Sequence, residues 1–299
     1  MAYLPVMDPL EVRLKQIRDL PTLPVVVTTI LNLLADPSAS LREAGDVVST
    51  DPVLSARTLR VVNSPYFGLS RRLTTVAEAA VYLGRTGLRN LTISSGLVQV
   101  VRGRDRRTPS LKFWEHAFAA AIYARVYAVS VGGVEPEDAY LAGLVHDIGR
   151  LVLQCHFPDE DAMIAAEVER SGRARVDVEM GFWQASHADV ADWLGEMWHF
   201  PDSVRLAVRH HHAPGDASPE AGLLAACVNL ADEAAWEQGF EDEANFDGTH
   251  SRLRAGCEAL RAFGPVEESP DNLRELAARK ASEVHSLVAM VYEQTGGAQ

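Results

Sequence analysis

The sequence predicts an all-α fold, arranged as two helical subdomains. Two observations lead there: apolar residues recur at helical spacing through almost every segment, and the strict alternation expected of strands is scarce. In order, "LPTLPVVVTTILNLLADPSAS" opens on prolines, carries Val26, Ile30, Leu33 and Leu34, and stops at Asp36-Pro37. "STDPVLSARTLRVVNSPYFG" predicts a better marked helix. Asp51 caps it, Pro52 suits its first turn, and Val53, Leu54, Leu59 and Val62 form the apolar stripe. Asn63-Ser64-Pro65 ends it, because the residue before a proline is pushed out of helical geometry. A third helical pattern runs over 75–101.

The basic, proline-containing stretch 102–110 marks a boundary. Beyond it, helical patterns cover 111–131, 136–154, 160–170, 176–198, 202–211 and 219–237. Residues 240–250 read as an acidic loop and 263–272 as a second loop. The last helix, over 273–293, is amphipathic, with Leu273, Ala277, Ala281, Val284, Val288 and Val291 on one face. Tyr66 and Phe67 either pack at the seam between the subdomains or fill the N-terminal core.

Composition narrows the function classes. With 47% apolar and 23% charged residues, the 299-residue chain has the balance of an ordinary globular protein. A net charge of -13 argues against nucleic acid or an anionic membrane as partner, and the basic cluster at 102–112 reads as a solvated linker. Cys155, Cys227 and Cys257 share no metal-binding spacing and read as buried thiols of a reducing compartment. No secretory signal and no membrane span is visible, so a cytoplasmic protein is expected.

The chemistry concentrates in the histidines. "GLVHDIGRL" sets His146 beside Asp147 inside an apolar run, and His116, His187, His210, His211 and His212 lie in comparable settings, with Asp232 an acid on an apolar helix. Divalent transition metals take imidazole nitrogen and carboxylate oxygen, and a pair of them can share one carboxylate. In a helical bundle such ligands come from several facing helices. Adjacent helical positions point about 100° apart, so His146 and Asp147 reach one centre only at a helix end or irregular turn. Gly149 is expected to supply that end. His156, His199, His250 and His285 have no comparable company.

These residues, with "LPTLPVVVTTILNLL", "VVSTDPVLSARTLRVVNSPYFG", "FWEHAFAAA", "SHADVADWLGEMWHFPDSVRLAVRHHHAP" and "LLAACVNLADEAA" around them, resemble the HDOD domain. That is the HD-related output domain of bacterial signalling, a branch of the HD superfamily of metal-dependent phosphohydrolases. The resemblance covers about 19–237. It implies an N-terminal extension (1–18), a helical subdomain (19–105), an HD-like helical subdomain (106–262) and a C-terminal helix (263–299). By the same resemblance, His116, His146, Asp147 and Asp232 match the first metal position of HD enzymes. His187, His211 and His212 match the second position of the related HD-GYP phosphodiesterases, with Asp147 as the bridge. One or two ions of iron, manganese or zinc are implied, and His210 is the spare.

The departures matter too. "HHAPGDASP" stands where HD-GYP enzymes carry an acid and a DGxGYP segment. Arg150 replaces the usual lysine after HDIG and is the candidate phosphate contact. Lys112 lies where three-metal relatives place a glutamate. The resemblance implies a regulatory or scaffolding module acting through response regulators, kinases or cyclases, with a nucleotide as a further candidate ligand. The alternative is a metal-dependent phosphohydrolase acting on a nucleotide or cyclic dinucleotide.

Overall fold

Ser40 opens the first clearly capped helix of the protein. Its hydroxyl accepts from the Glu43 amide at 3.2 Å while Glu43 reaches back to the Ser40 amide at 2.7 Å, a reciprocal capping box that starts α3. The computed structural model describes residues 10–15, 17, 23–64, 67–102, 111–240, 253–263 and 269–292, and every regular element among them is helical. The N-terminal part comprises α1 (Leu10–Lys15), α2 (Val25–Ala35), α3 (Leu41–Ser49), α4 (Pro52–Val62) and α5 (Val76–Arg102). Helix α3 was not singled out by apolar period.

Asp51 caps α4 as expected, accepting from the amides of Val53 at 2.8 Å and Leu54 at 2.9 Å. The stripe differs from expectation: Val53 is 51% exposed and Leu59 is half-buried, while Leu54, Thr58, Val61 and Val62 face inward. Helix α5 kinks at Gly84, whose φ of 69° suits glycine alone. The next residue, Arg85, donates to the carbonyls of Leu34 and Asp36 (2.8 and 3.0 Å) and of Ala39 (2.7 Å), satisfying the open end of α2 and the turn after it. Ile30, Leu34, Ala44, Val48, Leu54, Val76, Ala80 and Leu88 form the local core of this part.

The larger core is built on α6 (Leu111–Val131), which is buried on nearly all sides. Around it run α7 (Pro136–Val145), α8 (Ile148–His156), α9 (Pro158–Ser171), α10 (Arg175–Trp183), α11 (His187–Met197), α12 (Asp202–Arg209), α13 (Pro219–Glu237), α14 (Leu253–Phe263) and α15 (Pro270–Tyr292). Helices α7, α13 and α15 pack directly on α6. The patterns over 136–154 and 176–198 are each two helices. The second breaks at Gln184, which sits in the left-handed region at φ 58°. Helix α14 was also not anticipated.

On the last helix Leu273, Ala277, Val284 and Val288 are buried as expected, and Leu287 joins them. Arg89 pairs with Asp138 at 2.6 Å, and Asn90 donates to the Glu137 carbonyl at 2.5 Å, so α5 is tied to α7. Half-buried Phe67 lines a cavity between these elements together with Arg125, Tyr140 and Leu287, which places it at the seam. Tyr66, the boundary residues 103–110, residues 241–250 of the acidic loop and residues 264–268 of the second loop lie outside the described residues.

Candidate metal centre

The chain breaks its helix at His146-Asp147 itself. His146 is the C-cap of α7, Asp147 leaves helical geometry (φ -102°, ψ 7°), and α8 begins at Ile148. This irregular step turns both side chains toward one centre. Gly149 is not the break. It lies within α8, where a Cβ would stand 2.0 Å from the His187 carbonyl oxygen. Its bare backbone lets α8 lie against α11. His187 opens α11, His116 comes from α6, Asp232 from α13, and His211 and His212 from the turn after α12.

These seven side chains form two groups, within each of which the ligand atoms lie within 4.8 Å of one another. In the first, His116 Nε2 is 3.0 Å from Asp232 Oδ1 and 3.4 Å from His146 Nε2. In the second, Asp147 Oδ1 is 3.2 Å from His187 Nε2 and 4.0 Å from His211 Nε2, and His212 Nε2 is 2.9 Å from His187 Nε2. The other Asp147 oxygen faces the first group, 3.6 Å from His146 Nε2. One carboxylate therefore stands between two clusters, one oxygen to each.

The opposite edge of each ring explains why Nε2 points inward. The Nδ1 of His116 lies 2.9 Å from the Phe240 carbonyl, that of His146 2.7 Å from Gly143 O, and that of His211 2.6 Å from Val208 O. His187 Nδ1 lies 2.6 Å from Glu179 Oε2. All four partners are acceptors, which assigns the Nδ1 proton and leaves Nε2 facing the cluster. His211 Nε2 is buried without a hydrogen-bond partner. A buried nitrogen lone pair facing a carboxylate fits a cation.

The charges agree. Asp147 and Asp232 are held well below the usual carboxylate range; burial opposes this, and the neighbouring imidazoles, with Arg150 beside Asp147, outweigh it. Burial pushes His116 down, but Asp232 outweighs it and lifts the imidazole to about 9; Glu179 does the same for His187. Burial and its imidazole neighbours push His211 down to about 4. The carboxylates favour positive charge at His116 and His187 while His211 stays neutral with its lone pair free, and a metal would exchange for protons there.

Three contributors were not visible in the sequence. Glu179, fully buried, holds both the Nδ1 and the backbone amide of His187, the latter at 2.9 Å. Arg175 in turn pairs with Glu179 at 2.8 Å and with Asp161. Such outer partners fix ring orientation and ligand basicity. Replacing Glu179 by Gln is expected to weaken metal binding by about 10–100-fold. Calorimetric titration of the folded variant with manganese checks this, and unchanged affinity contradicts the positioning role.

Arg150, the candidate phosphate contact, belongs to the centre itself. It is 1% exposed, with Nη1 3.2 Å from Asp147 Oδ2, so it faces the carboxylate rather than solvent. His210 is half-buried and outside both groups. Of the seven, His212 and Asp232 are the two that reach solvent in part.

A family model of the HDOD domain matches residues 20–214. The chain belongs to the HDOD family. A candidate phosphohydrolase from Shewanella amazonensis SB2B has a similar structure, with TM-score 0.73, 24% identity, and coverage of 93% of this chain and 97% of that one. An HDOD domain protein with unknown function from Geobacter sulfurreducens superimposes at TM-score 0.72 and 23% identity, over 95% and 96% of the two chains. A candidate signal transduction protein from Marinobacter aquaeolei VT8 matches at TM-score 0.71 and 25% identity, over 96% of this chain and 62% of that one.

In sequence, an uncharacterized protein from Treponema pallidum (strain Nichols) is 28% identical over 219 residues, 72% of this chain and 42% of the relative. This HDOD chain thus spans less than half the length of that curated relative. The all-helical fold is shared with HDOD structures, and the His/Asp cluster could hold metal. No described helix is long and apolar enough to cross a membrane.

Proposed function

We propose that this HDOD protein is a cytoplasmic signal-transduction module that works through protein partners (response regulators, kinases or cyclases) and carries one or two divalent transition-metal ions, iron, manganese or zinc. His116, His146 and Asp232 would hold one ion, His187, His211 and His212 the other, and Asp147 would bridge them. The domain division is drawn at 105–106. A divalent ion, when bound, would supply Lewis-acid polarisation of a phosphoryl oxygen. Everything else falls to the side chains. Glu179 fixes the His187 ring, Arg150 balances the charge of Asp147, and the helix-end carbonyls hold the other rings.

The observation that carries the regulatory reading is the inward turn of Arg150, buried on Asp147 where a phosphate contact would need it exposed. Catalysis on a phosphodiester also needs groups that position the substrate and meet charge developing on phosphoryl oxygens. After the histidines the chain makes a short 3-10 turn, Pro214–Asp216, with no aromatic ring to stack on a base. The phosphohydrolase reading rests on the cluster alone. A cyclic di-GMP phosphodiesterase assay with manganese or iron, run beside Asp147→Ala, separates the two. No turnover is expected in either protein. Turnover that disappears in the variant would make the phosphohydrolase reading the right one.

A further inference from the structure

A second feature shares no residue with the histidine clusters and lies on a chain whose net charge is -13. Between the end of α4 and the loop before α5 is an open groove of about 640 Å³ lined by Arg60, Asn63, Ser64, Ser70, Arg71 and Arg72, with Leu59 and Leu69 as its apolar part. Among the described residues that line it none is acidic. Arg71 is paired with Glu78, but that contact, at 3.2 Å, is exposed on both sides. Among the described residues Arg60 and Arg72 have no hydrogen-bond or ion-pair partner. Two unpaired guanidiniums on one concave surface repel each other unless an anion sits between them.

The floor points the same way. Ser64 is 4% exposed, and its hydroxyl is buried without a hydrogen-bond partner. A buried hydroxyl left unsatisfied costs free energy, and a rotation of the Ser64 side chain toward a ligand oxygen in the groove would relieve it. Asn63 beside it is already committed, so it does not compete. Asn63 donates to the carbonyls of Leu59 at 2.6 Å and Leu73 at 2.9 Å, and accepts from the Leu73 amide at 2.8 Å. This pins the loop to the helix end and occupies the Leu59 carbonyl.

We propose that this groove binds a small phosphomonoester, with the phosphate held by Arg60, Arg72 and the Ser64 hydroxyl and the rest of the molecule against Leu59 and Leu69. Guanidinium forks match phosphate oxygens in geometry as well as charge. The volume lies within the range of small-molecule sites and exceeds what a phosphate alone fills. Leu59 and Leu69 are aliphatic, which suits a compact sugar or aliphatic group rather than a nucleobase as the organic part.

The probe is glycerol 3-phosphate, titrated into the full chain and followed by amide NMR shifts, with glycerol as the uncharged control. Saturable shifts confined to 59–73 are expected with glycerol 3-phosphate and none with glycerol. Arg60→Gln/Arg72→Gln should weaken binding by at least about tenfold, the loss of a charge-assisted hydrogen bond. Arg72→Gln alone removes an exposed side chain, so it guards against a folding defect in the double variant, and it should weaken binding in the same direction. Asp147→Ala should bind as the unaltered protein does. Shifts that centre on 146–147 and vanish in Asp147→Ala would assign the phosphate to the metal centre and overturn the proposal. So would the lack of saturable shifts in 59–73.

Discussion

Asp147→Ala is expected to retain less than about a tenth of the metal carried by the unaltered protein, and to lose it from both groups together. The reason is position. Its Oδ1 faces His187 and its Oδ2 faces His146, so one truncation removes a ligand from two clusters at once. It also leaves Arg150 buried without that carboxylate, and an uncompensated buried charge repels any cation brought near. His146→Ala should empty the group it shares with His116 and Asp232 and affect the other group less. Elemental analysis of purified, folded protein reads both results. Full metal content in Asp147→Ala, or unaltered protein that takes up no manganese, iron or zinc when these are supplied, would remove the metal centre from the account.

Among the glycines of the described residues, Gly149→Ala should be the most damaging. The added Cβ would stand 2.0 Å from the His187 carbonyl oxygen and 2.9 Å from the Ala191 amide nitrogen, both backbone atoms of α11. Backbone cannot swing aside as a side chain does, so α8 and α11 must separate. Overpacking of this kind costs about 3 kcal/mol or more. At this chain length that lowers the melting temperature by roughly 5–10 °C. Metal binding should fall with it, because α11 carries His187. Gly181→Ala is the control: nothing lies within 4 Å of that site, and alanine is the better helix former. A thermal melt in which Gly149→Ala matches the Gly181→Ala control would contradict the close-approach argument.

The all-α class and most helices were legible because burial imposes the 3.6-residue period on sequence. What period missed has physical causes. Helix α3, "LREAGDVVS", has Leu41, Ala44 and Val48 at helical spacing, but its nine residues are fewer than a period needs to declare itself. Its readable mark was the Ser40-Glu43 spacing of the capping box. The breaks at His146-Asp147 and Gln184 involve residues that are not helix breakers, so only packing could set them. Of the eight residues picked out by chemistry, seven come together in two adjoining groups and His210 stays outside both; their role as ligands is the proposal. Glu179 escaped notice because one acid among "RVDVEMGFW" looks like any solvated helix face, and its burial against His187 is a long-range fact.

Gly143 and Val208 offer the carbonyls that hold the rings of His146 and His211, and both lie in the last turns of their helices, α7 and α12. Those are positions where carbonyls lack partners within the helix. Fraying of either end therefore unhooks a histidine, and an ion gripped by the histidines would clamp both ends. Occupancy is then linked to local order by mass action: a ligand at a thousandfold excess over its dissociation constant adds about 4 kcal/mol to whatever it clamps. In a module of this kind the message can be carried as stiffness. A partner resting on the end of α12, where Arg209 is exposed, would distinguish the loaded chain from the unloaded one without any product being made.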